Sequence, residues 1–163
     1  IQTAIGAAVS DVLECLVKWP NDIVTADGRK LGGVLIEASS EDQCIRAGIG
    51  LNRSKGNVGD ESVAGWDESI GGKSAMQVFE MLDCSISSLF ENHPLVPCVS
   101  DEDLVALSWR ALSKSLSMGV DISLRGEPVR AIGLSREGHL IVESAGEEWG
   151  VSAVGGLEWA PIL

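Results

Sequence analysis

Between positions 16 and 51 the chain packs four short apolar runs between tight turn signals, directly after a stretch of helical period, and this order constrains the fold more than any other feature. Ile1, Ala4, Ile5, Ala8, Val9, Val12, Leu13 and Leu16 keep the i, i+3/i+4 spacing of an amphipathic helix. Leu16-Val17-Lys18-Trp19 then reads as a strand closed by Pro20, and Ile23-Val24-Thr25 as a second. Asp27-Gly28 is a hairpin signal. Residues 31–38 and 44–51 are apolar and glycine-containing, suited to strands with a buried face. A helix followed by such a meander predicts an α+β fold: an antiparallel or mixed sheet with flanking helices. The helical pattern already runs at position 1 with no N-cap before it, so further sequence is expected upstream.

Residues 52–72 are polar and glycine-rich and are expected to form a long functional or mobile loop. Ala75, Val78, Phe79, Leu82, Ile86, Leu89 and Phe90 trace a second helix, with Met76, Phe79 and Met81 expected in or near the core, and 93–97 ends it with two prolines. Ser100-Asp101-Glu102-Asp103 resembles a capping box opening a third helix, with Val105, Trp109, Leu112 and Leu116 on one face. After Gly119 come short strands at 120–124, 128–134, 139–143 and 148–153, a spacing that suggests a small barrel. So short a piece buries little core alone and is expected to lean on the first part, with Trp109, Trp149 and Trp159 packed between barrel and helix. The expected division is 1–98, a linking helix 99–117, and a barrel 118–163.

Twelve basic and 24 acidic residues among 163 give a net charge of −12, which excludes a general nucleic-acid binder. Apolar content of 45% with 22% charged residues excludes wholesale disorder. No apolar run approaches the roughly 18 residues of a membrane span, and no membrane partner is expected. Cys15, Cys44, Cys84 and Cys98 form no CxxC pair and read as thiols of a reducing cytoplasm. His93 and His139 lack clustered partners, so no metal site is expected from protein ligands. Gly71-Gly72-Lys73-Ser74 resembles the end of a phosphate-binding loop, but Asp67 occupies the place of its first glycine; the segment reads as a loop feeding the second helix.

The chemistry concentrates where cations meet glycines. Lys18, Arg29, Lys30 and Arg46 lie on or beside apolar strands, costly places for a charge without a partner. Gly32, Gly33, Gly48 and Gly50 weaken their strands, which a close ligand or backbone would compensate. Together they describe a flat pocket for an anion such as a nucleotide phosphate or a carboxylate. The same residues also admit a plainer reading, in which the lysines reach solvent and the glycines are bulges.

Lys18-Trp19-Pro20-Asn21-Asp22, the strand Gly28-Arg29-Lys30-Leu31-Gly32-Gly33 continuing through Val34-Leu35-Ile36-Glu37, and Gly48-Ile49-Gly50-Leu51-Asn52 resemble, in order and spacing, motifs of the biotin protein ligases, the biotin–[acetyl-CoA-carboxylase] ligases. The tail more loosely resembles the SH3-like barrel that closes many of them. The resemblance implies part of a class II synthetase-like catalytic domain followed by that barrel. It implies an enzyme that activates biotin with ATP and Mg2+ to biotinyl-5′-AMP and passes biotin to a lysine of a carboxylase carrier domain. By motif match Lys30, Lys18 and Asp22 are the catalytic residues. Lys30 would hold the carboxylate and α-phosphate oxygens, Lys18 would assist on the phosphates, and Asp22 would accept the carrier lysine's proton. Asn21, Arg29, Gly32, Gly33, Gly48, Gly50 and Asn52 would line the nucleotide and biotin pocket. The resemblance leaves room for a homodimer. The family's glycine- and arginine-rich loop has no counterpart in residues 1–163 and is expected upstream. The alternative is a catalytically inactive ligase-like protein that keeps the fold and binds nucleotide or biotin; a lipoate ligase, of related fold, fits Lys18-Trp19-Pro20-Asn21-Asp22 less well.

Overall fold

The computed structural model describes residues 1–39, 44–59, 61–91, 102–152 and 155–161. His93, Cys98, the expected helix stop at 93–97 and the Ser100–Asp101 part of the expected cap lie outside them.

The helix-period pattern at the start folds as α1 (Gln2–Leu13). Glu14 ends it in the left-handed conformation (φ 52°), and the Cys15 N–H returns to the Ser10 carbonyl at 3.0 Å. The meander follows as β1 (Leu16–Lys18), β2 (Asp22–Val24), β3 (Lys30–Ser39) and β4 (Cys44–Leu51), each antiparallel to its predecessor. The segment expected to be a loop contains two further strands, β5 (Gly56–Val58) and β6 (Glu61–Val63). They form a hairpin, and β6 runs parallel to β3 at Lys30, so the six-stranded sheet is mixed. These strands escape a pattern reading because they are only three residues long and all but one of their residues are exposed; Val63 alone turns inward.

A 3-10 turn at Trp66–Glu68 carries Trp66 into the core beside Ile5, Val9, Leu13, Ile23, Leu31 and Val34. The helix α2 (Ala75–Glu91) lays Val78 and Leu82 onto that core, with Ile86 packed beside them. Ser74 caps it: Gln77 N–H donates to Ser74 Oγ at 3.3 Å and Ser74 N–H donates to Gln77 Oε1 at 2.8 Å. Gly71–Ser74 is thus the lead-in to a helix, as expected. Met76 and Phe79 are not core residues; they are 64% and 63% exposed, because the Val78–Leu82–Ile86 stripe decides which face turns inward.

The third helix, α3 (Glu102–Ser117), packs against α1 and β1. Its Ser115 hydroxyl accepts the Val17 N–H at 3.1 Å, which satisfies a donor on the sheet's edge strand. After it, β7 (Val120–Leu124), β8 (Glu127–Pro128) and β12 (Leu157–Pro161) form one three-stranded antiparallel sheet. A second comprises β9 (Arg130–Leu134), β10 (Leu140–Ser144) and β11 (Glu147–Val151). Leu140, Val142 and Val151 of the second sheet share a core with Leu112 of α3, Val17 of β1 and Trp19 just after it, and Leu124, Leu157 and Trp159 of the other small sheet pack against it. The expected lean of the tail on the first part is therefore built from buried side chains. Trp109 and Trp159 pack on this core, but Trp149 does not, standing 38% exposed on β11.

Candidate active site

In an antiparallel ladder, directly opposed residues share a face of the sheet. Lys18 opposes Asp22, Asp22 opposes Gly33, and Gly33 opposes Gly50, so these four form one row across β1 to β4. The row beside it, Val17, Ile23, Gly32 and Leu51, belongs to the core face. The Lys18–Gly50 row thus lies on the opposite face, away from α1.

A bulge decides where Lys30 goes. The β2–β3 register shifts between Ile23 and Val24, so that Val24 opposes Lys30 and Leu31 is the extra residue. Leu31 stays fully buried in the core, and Lys30 turns to the outer face. Its Nζ lies 2.5 Å from Asp22 Oδ1, with the lysine side chain 49% exposed and the aspartate 23%. Asp22 therefore has one lysine directly opposite in the ladder and the ammonium of another in contact.

The glycines on this sheet fall into two kinds. A Cβ on Gly32 would sit 2.2 Å from the Gly50 carbonyl oxygen, so packing demands glycine there. A Cβ on Gly33 would meet the Asn21 carbonyl oxygen at 3.3 Å. Gly50 would meet nothing within 4 Å, and Gly48 only the Leu35 carbonyl at 3.9 Å. Nothing among the described residues requires the bareness of Gly48 and Gly50, which keeps this part of the sheet face flat and open. Leu35, opposite Gly48, is 58% exposed on the same face.

The turn between β1 and β2 is tied down on three sides. Its Trp19–Pro20 peptide bond is cis. The Trp19 indole N–H donates to the Gly138 carbonyl at 3.1 Å, the Thr3 hydroxyl to the Pro20 carbonyl at 3.0 Å, and the Val34 N–H to the Asn21 carbonyl at 2.9 Å. Asn21 and Asp22 are thereby placed beside Gly33. Beyond Lys18 the face is roofed: a small cavity of about 30 Å³ is lined by Leu16, Lys18 and Val24 with Ser115, Val120 and Trp159.

Two expected pocket residues carry structural duties. Asn52 donates its side-chain N–H to the Lys30 carbonyl at 3.2 Å and its backbone N–H to the Leu31 carbonyl at 2.8 Å. Arg29 donates to Asp27 Oδ2 at 2.8 Å and to both Glu68 oxygens at 3.2 Å. Hydrogen bonds from the Thr25 hydroxyl and from Arg29 hold the Asp27 carboxyl below its ordinary range, and the Asp27 and Glu68 carboxylates raise the Arg29 guanidinium. Arg46 opposes Glu37 toward the far end of β3 and does not join Lys18 and Lys30. Sequence reasoning placed Asp27 in a hairpin turn but missed its pairing with Arg29, and it missed Thr25, Glu68 and Trp66 as parts of this frame; for Trp66 the available signal was a lone tryptophan inside a polar stretch. Among the described residues no group of three or more His, Cys, Asp or Glu side chains could hold a metal ion. No helix among them is long and apolar enough to cross a membrane.

No family model matches the chain. Among solved structures it is similar over 99% of its length to the apo biotin protein ligase of Aquifex aeolicus, covering 74% of that chain at 22% identity with a TM-score of 0.72. The Aquifex aeolicus enzyme in complex with biotin and ATP superimposes with a TM-score of 0.66 at 21% identity, over 99% of this chain and 71% of that one. The Leishmania major biotin protein ligase in complex with biotinyl-5-AMP gives 0.51 at 23% identity, over 93% and 68%. The chain has the fold of the biotin protein ligases.

Proposed function

We propose that this chain is part of a biotin protein ligase of the cytoplasm, an ATP-dependent, AMP-forming enzyme that biotinylates a carboxylase carrier domain. The observation that carries the reading is the Lys18–Asp22–Lys30 group on a glycine-bared sheet face, with Lys30 Nζ 2.5 Å from Asp22 and Lys18 directly opposite it. In the first step a biotin carboxylate oxygen attacks the α-phosphorus of ATP and pyrophosphate leaves. Two anions must meet, so fixed cations at the point of contact lower the barrier. Lys30 takes the carboxylate and α-phosphate oxygens and Lys18 the neighbouring phosphates. Gly33, Gly48 and Gly50 let the ligand lie flat, and Asn21 and Asn52 border the nucleotide. Mg2+ would accompany the ATP phosphates and neutralise part of their charge, with Asn21 the protein group that would help to hold it.

In the second step the carrier lysine's amine attacks the acyl carbon, AMP leaves, and one proton is lost. Asp22 accepts that proton once the ligand anion competes for Lys30. The reading keeps 1–98 as a partial catalytic domain, 99–117 as a linking helix and 118–163 as an SH3-like barrel.

The test is to incubate the intact protein with ATP, Mg2+, biotin and a carrier domain, and to weigh the carrier. A mass gain of one biotin supports the ligase. An unmodified carrier, with biotin still bound by the protein, assigns it to the inactive ligase-like alternative.

A further inference from the structure

Arg29 ties its own hairpin to a segment 39 residues further along the chain. Its guanidinium joins Asp27 in the β2–β3 hairpin to Glu68 in the 3-10 turn, while its carbonyl accepts the Thr25 N–H at 3.0 Å and the Thr25 hydroxyl at 3.1 Å. Glu68 Oε1 in turn accepts the Gly65 N–H at 2.9 Å. One residue on, the Lys30 carbonyl receives the Ala64 N–H at 2.9 Å and the Asn52 side-chain N–H at 3.2 Å. The segment 61–68 therefore grips the start of β3 through its backbone and, by way of Arg29, through a forked ion pair. Exposed ion pairs contribute little to global stability. A guanidinium that spans two carboxylates does fix the orientation of what it joins. Its Nε and Nη1 are both spent on these carboxylates.

We propose that Arg29 is a positioning residue. Its clamp on Asp27 and Glu68 holds the first residues of β3 so that Lys30 presents its ammonium to Asp22 and the open glycine face, and Arg29 itself does not touch substrate. This deepens the adenylating reading, and its kinetic test rests on that reading; its chemical test does not.

The chemical test uses the intact protein and trace acetic anhydride, with acetylation of each lysine counted by mass spectrometry. Arg29→Ala and Glu68→Gln should each raise labelling of Lys30 relative to exposed Lys73 by about threefold or more, and the double variant should add little to either. Arg29→Lys should fall between. In the kinetic test, kcat for adenylate formation should drop about tenfold or more in Arg29→Ala, with KM for ATP and biotin changed less than about twofold. Glu68→Gln keeps the side-chain volume, so a fold defect confined to Arg29→Ala leaves the question answerable. Unchanged Lys30 labelling in the folded variants overturns the clamp. A raised KM at unchanged kcat overturns it in favour of direct ligand contact. If the parent protein forms no adenylate, the function reading fails while the labelling still decides the clamp.

Discussion

Cys15, directly after α1 and buried in the first core, shows what burial does to a single group. Desolvation pushes its thiol from the ordinary 9.0 up to about 12. The folded chain then keeps a proton that the unfolded chain releases. The resulting stabilisation is complete below pH 9.0 and is lost as pH rises toward about 12. The melting temperature should fall over that window, with Cys15 contributing at most about 1.4 kcal/mol per pH unit. Cys15→Ala should flatten the decline by that share; an identical slope in the variant would contradict the assignment. At pH 8 a thiol reagent should reach exposed Cys84 and spare Cys15. At this same scale the site was partly legible beforehand. Lys18, Lys30, Gly33 and Gly50 stood out as cations and glycines on or beside apolar strands, Asp22 came in through the motif resemblance, and the ladder sets all five on one face. The engagement of Arg29 was not legible, because its partner Glu68 is 39 residues away and no local pattern joins them.

The β3–β4 ladder separates a glycine that packing requires from one that it does not. Gly32→Ala drives a Cβ to 2.2 Å from the Gly50 carbonyl, so the ladder must open, at a cost of about 1–3 kcal/mol or more. Gly50→Ala meets nothing within 4 Å and should leave stability within about 0.5 kcal/mol of the parent. It should nevertheless weaken binding of a biotinyl-adenylate analogue by at least about tenfold, because its methyl group stands where a flat ligand would lie. Thermal melts with and without the analogue check both statements. Parent-like stabilisation of Gly50→Ala by the ligand would move the binding face elsewhere. The strand order around these glycines followed from apolar runs and turn signals. The bulge that turns Leu31 inward and Lys30 outward did not, since a one-residue register shift leaves no mark on composition. β12 was missed for a related reason: its alternating Leu157 and Trp159 follow two glycines and end in a proline, which reads as a tail.

Across the whole molecule, Leu112 is the hinge pin of the second core, fully buried among Val17, Trp19, Leu140, Val142 and Val151. Leu112→Ala should cost about 2–5 kcal/mol. Since this core joins the first sheet to both small sheets, the parent should melt in one transition and the variant in one earlier transition. Two separated transitions in the parent would show that the tail folds independently. That dependence was legible from the few residues available to the tail. The Trp19–Gly138 hydrogen bond, which brings the β9–β10 turn to the motif turn, was not, because it spans 119 residues.

The central claim is that Lys30, held over a bare sheet face by Asp22, is the cation on which an acyl-adenylate forms. Biotin-dependent exchange of labelled pyrophosphate into ATP by the intact protein and its Lys30→Ala variant measures this most directly. The expected result is exchange in the parent and a loss of about a hundredfold or more in the variant, with melting unchanged. Exchange at the parent's rate without Lys30 would contradict the claim.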